Sequence, residues 1–206
     1  MKSPIEVFSK WADEGRDDAM AMGHSNSVNA MLDFTLKNIN DSFTFIDSGC
    51  GNGWVVRKVG DHPLCKKAIG VDGSRAMINK AISFDSNNTY ECEDLIDWSP
   101  VEKVDVVFSM EVFYYFNNPI NLVGHVVKNW LKPKGRLIIG IDYYEENKPS
   151  EPWPLDCGIS IMTRLSEKEW KDSFSKSGLV NIITWREGQK DNWGGTLILT
   201  GEKSNY

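Results

Sequence analysis

The chain changes its apolar pattern repeatedly along its length. Short, nearly continuous apolar runs alternate with segments in which apolar residues recur at steps of three and four. The short runs are FTFIDS from Phe43, KKAIGVD from Lys66, TYECEDL from Thr89, KVDVVFSM from Lys103 and RLIIGID from Arg136. Runs of this kind read as strands buried on both faces. Five strands with helical segments between them predict an α/β domain with a largely parallel sheet and helices on both faces. The last two runs, VNIITW and TLILTG, have only a polar, Gly-containing loop between them. They predict a hairpin, so one of them runs antiparallel to the rest.

The intervening segments carry helix signals. SVNAMLDFTL from Ser27 places Val28, Met31, Leu32 and Leu36 on one side. Ser74 reads as the cap of RAMINKAI, with Ile78, Ala81 and Ile82 on a common face. In NPINLVGHVVKNWL, Asn118 caps, Pro119 takes the first helical position, and Leu122, Val126 and Trp130 align. KPKG is expected to stop that helix. LSEKEWKDSFSKSG has capping-box spacing at Ser166 and Glu169, a staple in Leu165 and Trp170, and Gly178 at its end. Trp130 and Trp170 sit on apolar stripes and read as core. Tyr143 to Met162, with Pro149, Pro152 and Pro154, reads as a loop or lid.

Bulk properties narrow the functional classes. At 206 residues one domain is expected. Within it we expect a helical cap over 1–40, a ligand-binding core over 44–140, the loop over 143–162, and a helix and hairpin over 163–206. A net charge of −6 argues against a protein built to grip a phosphate backbone. Cys50, Cys65, Cys92 and Cys157 form no C-x-x-C pair, so neither a zinc site nor a disulfide framework is expected. Scattered thiols fit a cytoplasmic protein. No signal peptide is visible at the N-terminus, and no run approaches the ~18 apolar residues of a membrane span.

The first strand ends in an aspartate and runs into glycines: TFIDSGCGNGWVV, Thr44 to Val56. In open α/β sheets ligands bind beyond the carboxyl ends of the strands, at the point where strand order reverses. Asp47, Asp72 and Asp94 end three of the first strands, and Ser109-Met110-Glu111 ends the fourth. These groups should gather on one rim. The glycine spacing is G-x-G-x-G rather than the G-x-G-x-x-G that receives a dinucleotide pyrophosphate, and no Gly-Lys-Ser/Thr follows. An acid this close to the turn repels pyrophosphate and suits a ligand carrying positive charge.

FIDSGCGNG, GVDGS, CEDL, DVVFSMEVFYYF and LKPKGRLIIG, in this order, resemble the class I S-adenosylmethionine-dependent methyltransferases of the small-molecule type. The resemblance implies a seven-stranded Rossmann-like sheet and S-adenosyl-L-methionine as cofactor. By that resemblance the Gly49, Cys50 and Gly51 backbone lies against the methionine part, with Asp47 near its ammonium. Asp72 takes the ribose hydroxyls, with Gly73 and Ser74 lining the turn. Asp94 takes the adenine amino group, the Leu95 N–H meets the ring, and the Ser109 backbone approaches from the fourth strand. The chemistry agrees independently: an ammonium, a diol and an adenine are all met by acceptors at strand tips.

The acceptor should be met by the N-terminal cap, the stretch after the fourth strand and the loop after the fifth. The candidates are Trp11, His24, Tyr114, Tyr115 and Tyr143, with Phe8, Tyr144 and Trp153 nearby. The family often carries His near Tyr115, and this chain does not. Phe113 and Phe116 read as packing residues. The segment KWADEGRDDAMAMGHS reads as a solvated helix or as a mobile cover. The expected acceptor is a small molecule, with no nucleic-acid, membrane or metal partner, in a monomer or homodimer. A nicotinamide-dependent oxidoreductase and a non-catalytic cofactor-binding module remain as alternatives. Nucleic-acid methylation is disfavoured because SMEVFYYF matches neither base-methylating signature.

Overall fold

The structure is a computed structural model, and it describes residues 1–37 and 39–205. Two helices lead, α1 (Pro4–Asp13) and α2 (Asp17–Leu36). Strand β1 (Phe43–Ser48), helix α3 (Trp54–Gly60), strand β2 (Cys65–Asp72), helix α4 (Arg75–Phe84) and strand β3 (Thr89–Cys92) follow. Next come β4 (Val104–Met110), α5 (Pro119–Asn129), β5 (Leu131–Ile141), the short α6 (Trp153–Asp156) and α7 (Glu167–Lys176). The chain closes with β6 (Leu179–Glu187) and β7 (Thr196–Lys203). Among the described residues no helix is long and apolar enough to cross a membrane.

The seven strands form one sheet in the order β3-β2-β1-β4-β5-β7-β6. The five from β3 to β5 are parallel, and β7 runs antiparallel between β5 and β6. Strand order reverses between β1 and β4, which pair directly through Phe45–Val106, Ile46–Val107 and Asp47–Phe108. Period-two alternation divides the core between the faces. Phe45, Phe108, Ile138 and Ile198 pack beneath α2, α3 and α4. Ile46, Val107, Ile139 and Leu199 pack with Trp130 and Trp170 beneath α5 and α7. Both tryptophans are fully buried.

Caps place the helices as their residues dictate. Ser74 Oγ accepts from Met77 N, Asn118 Oδ1 accepts from Asn121 N, and Ser166 and Glu169 close a reciprocal capping box. A second box, Ser3 with Glu6, opens α1. Three expectations need correction. KPKG does not stop the helix, which ends at Asn129, and β5 begins at Leu131 and runs through KPKG. Ile82 is 52% exposed, and Met77 joins Ile78 and Ala81 on the buried face of α4 instead. The charged N-terminal segment is not one solvated helix. It breaks at Glu14–Arg16, where Gly15 takes φ +70°, and Asp17 beyond the break is buried. The 143–162 stretch is irregular as expected, apart from a 3-10 turn at Lys148–Ser150 and α6.

Candidate functional site

The carboxyl ends of β1, β2 and β4 open into a cavity of about 740 Å³. Its floor is the glycine loop. Gly49 N and Cys50 N both donate to Val71 O, at 2.7 and 3.1 Å, which folds the loop back onto β2. Gly49 sits at φ +78°, and a Cβ there would lie 2.2 Å from Val112 Cγ2. The missing side chain therefore admits the β4 turn against the loop. Gly51, at φ +52°, has only Met77 Sδ near its absent Cβ, at 4.0 Å, so it presents bare main chain to open space.

Three strand-end acids line this cavity, with Glu111 beside them. Asp72 accepts from Gly51 N at 2.9 Å and from Ser74 N at 2.8 Å. Each of its oxygens keeps a free lone pair, enough for a diol. Burial pushes its pKa up, opposed by the Ser74 and Gly51 N–H groups. Asp47 is 3% exposed. No donor meets its carboxylate among the described residues, and burial, followed by the Asp72 charge, pushes its pKa up to about 8. An orphaned buried carboxylate of this kind fits a cationic ligand group. Asp94 is exposed at the rim, where Oδ1 accepts from Ile96 N at 3.1 Å. Burial raises the Cys50 thiol well above its ordinary pKa, so it is no nucleophile and serves as packing.

The N-terminal helices roof the cavity. Lys2 N donates to Gly158 O and Ser160 N to Lys2 O, both at 2.8 Å, which pins the start of the chain to the loop after β5. The Phe8 ring meets Trp11 edge-on at 5.2 Å and Tyr115 at 5.1 Å. Asp17, at the start of α2, accepts from Asn52 Nδ2 at 2.8 Å and pairs with Lys80 Nζ at 2.6 Å. That buried tie fastens the roof to the glycine loop.

A second polar cluster stands beside the β4 and β5 ends. Glu111 has φ +59°, rare for a residue with a side chain. Its Oε1 accepts from Asp142 N, and its Oε2 accepts from the Tyr114 hydroxyl at 2.6 Å. The Tyr114 and Tyr115 hydroxyls are 3.2 Å apart. His24 Nδ1 lies 3.9 Å from Asp142 Oδ2. Burial holds the His24 imidazole below its ordinary pKa, against the pull of Asp142.

Asp47, Gly49, Cys50, Gly51, Asp72, Gly73, Asp94 and Leu95 all line the cavity, as do Trp11, His24, Tyr114 and Tyr115. Three candidates do not. Ser109 turns away, its hydroxyl donating to Ser48 O at 2.7 Å, and Met110 and Val112 take the cavity wall instead. Ser74 uses its hydroxyl to cap α4 and to meet Ser9 Oγ at 2.8 Å. Tyr143 is buried against Tyr114, ring centroids 5.4 Å apart, outside the cavity. Phe113 is core, but Phe116 reaches the cavity wall. Sequence reasoning missed Asp17, Asn52 and Asp142. Asn52 lay within the quoted glycine loop, but nothing local signals its partner 35 residues upstream.

Comparison with known proteins agrees with this geometry. A family model described as a methyltransferase domain matches residues 20–183. A malonyl-[acyl-carrier protein] O-methyltransferase of Halalkalibacterium halodurans is 29% identical over 163 residues, 69% of this chain and 57% of that protein. A trans-aconitate 2-methyltransferase of Agrobacterium fabrum is 25% identical over 133 residues, 65% of this chain and 48% of that one. The chain spans about half the length of the curated relatives it matches. Among solved structures, one from the complex of the Haloferax volcanii Trm112 methyltransferase activator with a putative methyltransferase superposes with a TM-score of 0.82. It is 25% identical, with 99% of each chain covered. The N-methyltransferase NodS of Bradyrhizobium japonicum WM9, solved with S-adenosyl-L-homocysteine, gives 0.66 at 18% identity, covering 87% of this chain and 86% of that one. The chain belongs to the methyltransferase-domain family.

Proposed function

We propose that this chain methylates a small molecule held in the same cavity as the cofactor. The observation that carries this reading is the roofed cavity of about 740 Å³. Single small-molecule sites span about 300–1,000 Å³, so the upper part of that range suits a nucleoside cofactor and one compact acceptor.

S-adenosylmethionine, when bound, supplies a methyl group already activated on a sulfonium. The chain's own task is placement. The Gly49–Gly51 main chain receives the methionine part, and Asp47 answers its ammonium. Asp72 takes the ribose diol, Asp94 the adenine amino group, and the Leu95 N–H the ring. Met110 and Val112 wall the β4 side. Holding acceptor and donor in line supplies about 7–11 kcal/mol of the barrier reduction. The Phe8, Trp11 and Tyr115 rings exclude water from the transfer path. The free, scattered cysteines support a cytoplasmic setting.

The test is calorimetry with S-adenosyl-L-homocysteine, followed by transfer of labelled methyl to low-molecular-weight acceptors. Micromolar binding and labelled product below 1 kDa (about the size limit of such acceptors) are expected. Label found only in protein or RNA overturns the small-molecule reading. A second reading has one observation in its favour: the full-length likeness to the Haloferax volcanii complex supports a chain that works with a bound activator protein. Co-expression with a Trm112-type protein, followed by size-exclusion chromatography, tests it. Separate elution of the two proteins counts against it.

A further inference from the structure

Six carboxylates line the cavity: Asp17, Asp47, Asp72, Glu93, Asp94 and Glu111. No Lys or Arg is among the described lining residues. Asp17 is paired with Lys80, and Asp47, Asp72 and Asp94 have cofactor groups to meet. Glu93 and Glu111 are left over, and of these Glu93 is exposed at the rim while Glu111 is partly buried. Glu111 is also held in an unusual way, its positive φ fixed by a hydrogen bond from its N–H to Gly140 O at 2.9 Å. A strained non-glycine backbone maintained by neighbouring structure is a reason to look for function.

Glu111 begins a chain of hydroxyls that ends on the cavity wall. Tyr114 has one phenolic proton, and at 2.6 Å it points at Glu111 Oε2. The Tyr114 hydroxyl also faces the Tyr115 oxygen at 3.2 Å, and with its one proton directed at Glu111 that contact becomes a hydrogen bond when the Tyr115 O–H rotates toward it. The Tyr115 hydroxyl has no other hydrogen-bond partner among the described residues. The Tyr115 ring stands beside Phe8, with Trp11 behind. Acidic groups and aromatic faces, with no counter-cation, repel a carboxylate and attract an organic cation. Trans-aconitate, the acceptor in the name of two relatives, is a polycarboxylate, and no Lys or Arg stands among the described lining residues to receive it.

We propose that the methyl acceptor is an amine, and that Glu111 takes its proton through the Tyr115 and Tyr114 hydroxyls. This deepens the methyl-transfer reading and rests on it. An amine arrives as an ammonium and cannot attack until it is deprotonated. Its proton passes to the Tyr115 oxygen as Tyr115 passes its own to Tyr114, and Tyr114 passes its own to Glu111 Oε2. Both phenols end neutral, and Glu111 becomes a carboxylic acid. The freed nitrogen pair then forms the N–C bond while the C–S bond breaks, its electron pair staying on sulfur. The products are a methylammonium and a neutral thioether.

The environment suits Glu111 to this task. Burial raises its carboxyl well above the ordinary range, and the Asp142 charge adds to that, opposed by the Tyr114 hydroxyl and the Asp142 N–H. A carboxylate of raised pKa is the better base toward an ammonium. The groups facing it are Asp142 from β5, with His24 of α2 beyond, and Tyr114 and Tyr115 from the turn after β4.

Three probes of matched shape test the proposal: phenethylamine, 3-phenylpropionate and 4-ethylphenol, each offered with labelled S-adenosylmethionine. Only the amine should accept methyl. Glu111→Gln should lower its kcat about 100-fold, and Tyr115→Phe at least about 10-fold, with the rate of the wild-type enzyme rising with pH. Without cofactor, calorimetry should show phenethylammonium binding the wild-type protein about 10-fold or more tightly than Glu111→Gln, and no binding of 3-phenylpropionate. Tyr115→Phe leaves the Glu111 contacts to Asp142 and Tyr114 untouched, so it decides the matter if Glu111→Gln fails to fold. Preferred methylation of the acid or the phenol, turnover of none of the three, or unchanged rates in both variants overturns the proposal. If the wild-type protein also fails to bind S-adenosyl-L-homocysteine, the underlying methyl-transfer reading falls instead.

Discussion

Replacing Gly51 with alanine should separate folding from cofactor capture. The added methyl meets nothing nearer than Met77 Sδ at 4.0 Å. Its folding cost is therefore the left-handed backbone penalty alone, about 1–2 kcal/mol. With cofactor present, the same methyl crowds a filled site, which costs about 1–3 kcal/mol. At 1.4 kcal/mol per decade, that weakens binding about 5- to 150-fold. Gly49→Ala is the contrast. Its Cβ would lie 2.2 and 2.7 Å from the two Val112 methyls, so the clash is within the protein itself. Overpacking joins the backbone penalty, and stability should fall by about 2–5 kcal/mol. Urea unfolding of both variants, with calorimetry of S-adenosyl-L-homocysteine, reads the two effects separately. Wild-type affinity in Gly51→Ala, or equal destabilisation by the two substitutions, would refute the assignment of Gly51 to the cofactor floor.

Other perturbations test the site and its supports. Asp47 has a folded pKa of about 8 against an ordinary 3.8. The folded state keeps a proton that the unfolded chain loses, so cofactor-free stability should fall as pH rises from about 4 to 8. Asp47→Asn should flatten that slope in urea titrations at pH 5 and pH 8, and an unchanged slope would assign it elsewhere. Cofactor-product binding at pH 7 should release a proton from Asp47, measurable by calorimetry in buffers of differing ionisation enthalpy. Lys80→Met strands the buried Asp17 charge and should cost about 3 kcal/mol, with faster proteolysis before residue 37. Wild-type resistance to protease would show that the Asp17 tie does not hold the roof. Tyr144→Phe removes the donor to Gly194 O and Gly195 O, at 2.9 and 3.0 Å. It should lower stability by about 1–3 kcal/mol and leave cofactor affinity unchanged.

The gathering of acids at one rim was legible because parallel strands bring their carboxyl ends together whatever loops intervene. Asp47, Asp72 and Asp94 needed only the strand pattern to be placed on one rim. Ser109 is absent from the cavity lining because β4 keeps pairing with β5 through Met110. Ser74 offered a hydroxyl that two partners inside the protein already claim. Tyr143 looked equivalent to Tyr115 on composition, yet it follows the last inward position of β5 and stays in the core. The Asp17–Asn52 and Glu111–Asp142 contacts join residues 35 and 31 positions apart. No local period encodes such pairs, so only the folded chain discloses them.

The swapped order of the last two strands has a bearing on synthesis. Strand β7 follows β6 in the chain, yet it lies between β5 and β6, and its first six residues are buried. On the ribosome, β5 must wait with one edge open, and β6 has no strand partner, until Thr196–Lys203 has left the exit tunnel. A nascent chain halted before that point offers the open β5 edge and the unpaired β6 strand to chaperones or to other copies of itself. Loss of Thr196–Lys203 would therefore dismantle the β5 side of the sheet.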